Sequence, residues 1–279
     1  MPRILRLGLG LVVLLVVVAV FLGPYAWIAA SSFKPQDEIF RDLEPLSWRT
    51  FWPTSPTIEN VVHLFENRRM GRALLNSAIV STCQVILTLV LCSTAAYGLT
   101  RIRFRGANLV FALVLMTFLL PLESLVVPLY MTVSGLSLQD TLIGAFIPWI
   151  ASPFGMFLLR QYFEELPREL DEAARLDGAG HFRIFWSIVL PNVRVPMVTL
   201  ALVTFLFSWN AFLWPLVILS SPGNTVVQIA IAQSVAPGQL PNWGETFAGA
   251  TVATVPLILL FLFLQRFFVR GVALSGVKG

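Results

Sequence analysis

Few of the 279 residues are of a kind that does chemistry. His63 and His181 are the only histidines, Cys83 and Cys92 the only cysteines, and Lys34 and Lys278 the only lysines. No H-E-x-x-H, G-x-S-x-G or G-x-x-x-x-G-K-[ST] occurs, so a zinc-protease site, an activated serine and a phosphate-cradling loop are all missing from the sequence. No metal site and no catalytic set can be assembled from what remains. The polar groups that do cluster lie in Asp171–Gly180, DEAARLDGAG, where four of ten residues are charged in a chain that is 12% charged overall. Glu172 and Asp177 offer carboxylates that can pair with arginines or cap a helix. Ala173, Ala174, Gly178 and Ala179 are small enough to let another backbone come close. That is the chemistry of docking, not of bond breaking.

The flanking residues predict a helix, a bend and a second helix. Pro167 can open a helix at its first turn, where a missing N–H costs nothing. Glu169, Asp171 and Glu172 then sit where the helix dipole favours acids. Leu170, Ala173, Ala174 and Leu176 can form an apolar stripe, and Gly178 suits the left-handed position that stops a helix. Phe182, Phe185, Ile188 and Val189 follow at helical spacing, closed by Pro191. Amphipathicity alone fits an ordered loop lying on a membrane surface.

A membrane is what the rest of the chain asks for. It is 57% hydrophobic, with a mean hydropathy of +0.79. Leu7–Phe33 and Ala73–Thr100 carry no charge and exceed the roughly 20 residues a helix needs to cross a bilayer. Asn108–Gln139 is interrupted only by Glu123, and Thr141–Leu159 is a fourth stretch. Val195–Gly244 is uncharged but broken by the turn cluster SSPGN at Ser220–Asn224, and Thr246–Gln265 is the last. A β-barrel would show short alternating segments, so the expected fold is all-α: a polytopic membrane protein of six transmembrane helices. The N-terminal apolar run is too long for a signal peptide and reads as the first span, about residues 7–31.

Arginine placement sets the expected orientation. Thirteen of the nineteen basic residues fall on one side: Arg3, Arg6, Arg101, Arg103, Arg105, Arg160, Arg168, Arg175, Arg183, Arg194, Arg266, Arg270 and Lys278. Both termini are therefore expected in the cytoplasm, with the polar loop of about 160–194. The loop of about 34–72 lies outside, its six basic residues matched by six acids, with a short amphipathic helix near Ile58–Phe65 whose Val61, Val62, Leu64 and Phe65 could lie along the membrane. The net charge of +4 reflects this topology and calls for no nucleic acid. Cys83 and Cys92 lie within the second span and read as buried thiols. The chain reads as one transmembrane domain, 1–279, with a core of about 70–270.

The spacing Glu172-Ala173-Ala174, three residues, Gly178, nine residues, Ile188-x-Leu190-Pro191 resembles the EAA loop in the membrane subunits of bacterial ABC importers, without a gap. SSFKP, PTIENVVHLF, LLNS, RIRFRG, FSWNAFLWPL and the tail RGVALSGVKG are similar to carbohydrate-type permeases, in particular the second permease of maltose-type importers. The resemblance implies a non-catalytic, binding-protein-dependent permease of the bacterial inner membrane that imports a sugar or sugar-like solute by alternating access. Its implied partners are a second permease, two ATP-binding subunits that carry the ATP and Mg, and an extracytoplasmic solute-binding protein; no cofactor is held by this chain. Glu172, Ala173, Ala174, Asp177, Gly178, Ala179, Ile188, Leu190 and Pro191 then form the part that couples to the ATPases, with Glu172 and Gly178 the most sensitive positions. The tail Gly271–Gly279 would also reach the ATPases.

Two readings remain open for the solute path. Glu123 is the only acid well inside an apolar stretch, and such a group faces a pathway or anchors at the interface. Ser208, Trp209, Asn210 and Trp214 combine the hydroxyl, amide and indoles that hold sugars, and equally the polar glue between helices. Relatives often carry an acid after Trp-Asn where this chain has Ala211, so no solute preference transfers at that position. An ion-coupled secondary transporter or channel subunit is the alternative class. It would call for several intramembrane acids, and only Glu123 is present.

Overall fold

The computed structural model describes residues 3–41, 43, 47–102, 104–235 and 240–275, with side chains described between residues 8 and 266. Arg103, Lys278 and the end of the tail, 276–279, lie outside the described residues. All regular structure among the described residues is helical: α1 (Arg3–Ser31), α2 (Glu38–Arg41), α3 (Trp48–Phe51), α4 (Glu59–Asn67), α5 (Met70–Arg101), α6 (Ala107–Thr117), α7 (Leu122–Gly135), α8 (Leu142–Phe146), α9 (Pro153–Glu165), α10 (Glu169–Leu176), α11 (His181–Ile184), α12 (Leu190–Asn192), α13 (Arg194–Trp209), α14 (Leu213–Ile218), α15 (Val227–Ala232) and α16 (Trp243–Ser275). A 3₁₀ turn, Ile147–Trp149, continues α8, and a π turn, Phe185–Val189, joins α11 to α12.

Three stretches, Gly8–Ser31, Met70–Arg101 and Trp243–Arg266, are each long and apolar enough to span a membrane. Three further pairs qualify only together, which gives up to six spans. The pairs are bent by 103° between α6 and α7, by 47° between Leu142–Trp149 and α9, and by 80° between His181–Asn192 and α13. Each bend falls where the first helix stops four residues short of a proline. Thr117 precedes Pro121, Trp149 precedes Pro153, and Asn192 precedes Pro196. Proline has no N–H to give the carbonyl four residues back, and its ring collides with it, so the helix cannot be carried through. After α6 the chain tightens first, the N–H groups of Phe118, Leu119 and Leu120 reaching carbonyls three residues back at 3.0, 3.1 and 3.3 Å. The uncharged run from Val195 is likewise interrupted: α13 ends at Trp209, and α14 restarts with Pro215 in its first turn. Pro24, Pro128 and Pro256 lie inside helices that continue past them.

The chain forms two compact units. The first comprises 1–74 and 226–258. Its outer loop is ordered by buried polar groups. Lys34, 1% exposed, donates to the carbonyls of Arg49 and Thr50 at 2.8 and 2.9 Å. Asn60 donates to the carbonyls of Ser32 and Lys34 at 3.0 and 2.8 Å. The amphipathic helix expected near Ile58–Phe65 is α4, but Leu64 is fully buried within the unit, leaving Val62 and Phe65 exposed.

The second unit comprises 75–225 and 259–279 and holds the polar loop. Within it, Asp140, in a left-handed conformation (φ 53°), fastens the turn at Ser220–Asn224. Its carboxylate accepts the N–H groups of Ser220 and Ser221, both at 2.9 Å, and the Ser221 hydroxyl. The Ser221 hydroxyl above all, then those N–H groups, hold the carboxyl down at about 2. A carboxylate depressed in the folded state stabilises above its ordinary range, and the contribution fades as pH falls from about 4 through 2. Amide-exchange protection at Ser220 and Ser221 is therefore expected to fall severalfold in Asp140→Ala at pH 7. In the wild type the same protection holds down to about pH 4 and drops below it. Protection that ignores both the substitution and the acid would refute this role.

Candidate functional site

Leu166 closes α9 in an extended conformation (φ −72°, ψ 129°), as a residue before proline must. Pro167 therefore separates α9 from α10, one residue ahead of the Arg168 N-cap rather than inside the first turn of the helix. Glu169, Asp171 and Glu172 occupy that first turn, as expected from the dipole. Gly178 ends the helix with φ +79°. Ala179 N–H bonds to the Ala174 carbonyl at 2.9 Å and Gly178 N–H to the Arg175 carbonyl at 3.0 Å. This pair of bonds is the Schellman closure, which needs a residue of positive φ where glycine stands.

Burial corrects the expected stripes. The inner face of α10 is Asp171 and Ala174, whereas Leu170 is exposed and Leu176 is 91% exposed. In the second limb Ile184, Phe185 and Val189 are buried, Ile188 is partly buried, and Phe182 stands 78% exposed with Trp186 beside it. The buried residues join Cys92, Ala96 and Tyr97 of α5, Leu159 and Phe163 of α9, and Leu200 of α13 in one core. Burying Ile184, Phe185 and Val189 of the loop takes apolar surface out of water, at about 1.5–3 kcal/mol each. The loop is thus fixed to three helices and still leaves four large apolar side chains uncovered.

The last turn of α5 holds both limbs. Arg101 and Asp171 approach to 3.3 Å with side chains only 3% and 8% exposed. Arg101 also donates to the Leu166 carbonyl at 3.0 Å. One turn earlier, the Tyr97 hydroxyl lies 3.1 Å from His181 Nδ1 and 3.3 Å from its carbonyl oxygen, and its ring meets Phe185 edge-on at 5.2 Å. A polar cleft of about 420 Å³ opens above these contacts, with Arg168, Glu172 and Arg175 at its sides. Sequence reasoning takes Asp171 for a dipole-satisfying surface acid and Arg101 for a topological charge. The available signal is spacing, since Asp171 lies three residues before Ala174 on the same face.

Glu172, Ala173, Asp177 and Gly178 are all exposed, while Ala179, Ile188 and Leu190 pack against the core and Pro191 is partly buried. The candidate coupling residues therefore form one continuous segment, its small residues at the bend open on the outside. Residues 85–274 match the family described as the binding-protein-dependent transport system inner membrane component. The chain belongs to that family. This permease is 35% identical to the arabinooligosaccharides transport system permease protein AraQ of Halalkalibacterium halodurans, over 94% of its own length and 92% of that protein's. It is 33% identical to AraQ of Bacillus subtilis, over 93% and 91%, and 36% identical to the sn-glycerol-3-phosphate transport system permease protein UgpE of Yersinia pestis, over 76% and 78%. Its fold matches a chain of a bacterial ABC transporter involved in the import of the acidic polysaccharide alginate, with a TM-score of 0.82 at 19% identity, covering 96% of the permease and 99% of that chain. The permease is thus a non-catalytic, membrane-spanning component of an ABC importer, and the ion-coupled alternative is not favoured.

The five pathway candidates sit in different settings. Trp209 is 2% exposed and stacked on Phe205 at 5.5 Å. Trp214 is equally buried, its indole N–H donating to the Gly144 carbonyl at 3.1 Å. Ser208 is buried with a hydroxyl that lacks a partner. Asn210 is exposed and donates to the Leu206 carbonyl at 2.8 Å. Glu123 is exposed in the first turn of α7, just past the sharpest bend.

Proposed function

We propose that this permease imports a sugar or sugar-like solute and that the segment Glu172–Pro191 is the lever through which two ATP-hydrolysing subunits drive it. One observation carries the reading: a loop anchored to α5, α9 and α13 leaves Leu170, Leu176, Phe182 and Trp186 exposed within a short span of sequence. Phe182 and Trp186, whose rings meet at 6.2 Å, form an apolar patch there, and such a patch on an aqueous face marks a protein interface. Because its other side is fastened to membrane helices, a push on the patch is passed to them as a rigid-body movement. Glu172, on the lip of the cleft with Arg168 and Arg175, is placed to meet a basic group of the ATPase or to order those arginines. ATP and Mg belong to those partner subunits. In this reading both termini and the loop lie in the cytoplasm, the chain pairs with a second permease, and solute arrives from an extracytoplasmic binding protein. The arabinooligosaccharide permeases among its relatives support a saccharide solute. Ser208, Asn210 and Glu123 remain candidate pathway groups in this reading, while Trp209 and Trp214 are packed inside the unit.

The test is co-expression with the partner permease, the ATPases and the binding protein. Leu176→Ser/Phe182→Ser alters only exposed side chains, so folding is expected to be intact. ATPase capture should fall roughly tenfold or more, since truncating central apolar anchors has effects of that order. Undiminished capture with undiminished stimulated hydrolysis would place the lever elsewhere.

A further inference from the structure

The interior of the second unit contains a polar seam that packing does not explain. Gln84, midway along α5, is 3% exposed and lines the cavity described below. Ser81 and Thr88, three and four residues to either side on the same helical face, carry buried hydroxyls without a partner. Across from them on α13, Thr204 is 7% exposed, and Ser208, one turn on, has another unpartnered buried hydroxyl. Left empty-handed, such groups destabilise a fold, and native proteins seldom keep several together without use.

A cavity of about 500 Å³ opens over Gln84 and Thr204. It lies within the roughly 300–1,000 Å³ typical of small-molecule sites. Trp149 and Phe207, whose rings meet at 6.2 Å, form one wall. Phe118 and Ser152, from the breaks before α7 and α9, form others. Irregular backbone at membrane depth is tolerated where it lines a cavity, and transporters place solute sites at such broken helices. No charged residue lines the space.

We propose that this cavity is a solute subsite on this subunit that takes an uncharged sugar ring; the proposal rests on the import function given above. The Gln84 amide offers both a donor and an acceptor, which matches a pair of sugar hydroxyls. The Trp149 and Phe207 rings cover the apolar C–H face of a pyranose or furanose. A phosphate or a uronate carboxylate would enter a low-dielectric space with no cation to meet it, so the subsite selects against such solutes. A lipid chain would leave the amide and hydroxyls unpaired.

The experiment uses the complete transporter in proteoliposomes with saturating binding protein, comparing wild type with Gln84→Leu/Thr204→Val, a near-isosteric pair. Uptake of labelled arabinotriose or maltotriose is expected to fall about tenfold in the variant. Binding-protein-stimulated ATP hydrolysis and co-purification of the second permease should stay within about twofold, because the docking loop is untouched. Equal uptake by both forms would overturn the subsite while leaving the import function standing. Loss of the second permease from the purified variant would show the cavity to be a seat for a partner helix, and would overturn it too. Faster wild-type uptake of sn-glycerol 3-phosphate than of either neutral trisaccharide would refute the selection by charge. A wild type that transports none of these, with no stimulated hydrolysis, would remove both the subsite and the function on which it rests.

Discussion

Asp171→Ala is expected to release the docking loop and to abolish ATPase capture. Asp171 and Arg101 face each other with side chains 8% and 3% exposed, and truncating the acid strands a guanidinium whose remaining described bond is to the Leu166 carbonyl. Removing one member of a buried pair costs about 3–5 kcal/mol, most of it the uncompensated charge left behind. Asp171 Oδ1 and Arg101 Nε have no well-aligned hydrogen-bond partner, so the 3.3 Å contact is chiefly coulombic. The charge, not the contact geometry, should therefore dominate. That distinction can be measured. Arg101→Met/Asp171→Leu removes both charges and keeps most of the volume, and replacing a buried pair by apolar groups is often neutral or better. The double variant is expected to recover most of the thermal stability lost in Asp171→Ala, together with much of the ATPase capture. If the double variant proves as damaged as the single one, the pair holds the loop through its bond to Leu166 and its shape, and the electrostatic account fails.

The contrast between Asp171 and Gly178 shows which parts of the site can be read from sequence. Gly178 is a local matter: a helix that must stop and turn needs a left-handed residue, and the motif supplies one within a few positions. The existence of a helix, a bend and a second helix follows from equally local signals. The burial of Asp171 depends on where the far end of α5 comes to rest, which no window around the loop contains. For the same reason hydrophobicity places Ala174, Phe185 and Val189 inside correctly but misplaces others: Leu170, Leu176 and Phe182 fit an inward face by type, and the fold spends them on a surface instead. The membrane helices behave similarly. Uncharged runs mark the spans, but Pro121, Pro153 and Pro196 decide where three of them bend, and each bend lies one hydrogen bond upstream of its proline. Gln84 escapes notice because a single amide in a long apolar run carries no periodicity. Its setting emerges only when α5, α13 and the two helix breaks surround the same space.

Gly178→Val is expected to reduce ATPase capture roughly tenfold or more and to do so without touching any other part of the fold. A Cβ built at Gly178 meets nothing within 4 Å, so volume is not at issue. What the substitution meets is its own backbone. At φ +79° an L-residue brings its Cβ against the neighbouring carbonyl, at about 1–2 kcal/mol, and a β-branched side chain is worse placed still. The chain can escape the strain by moving Gly178 out of the left-handed region. That breaks the bonds from Ala179 to Ala174 and from Gly178 to Arg175, and swings α11 away from α10. A graded series separates this account from one in which the partner packs directly on the bend. Gly178→Asn should be mild, because asparagine tolerates the left-handed region. Gly178→Ala should be intermediate and Gly178→Val severe, with helicity of the loop and ATPase capture falling together. Were asparagine and valine equally harmful, the sensitivity would come from a partner backbone packed against Gly178. Were both harmless, the bend would not be what transmits the stroke.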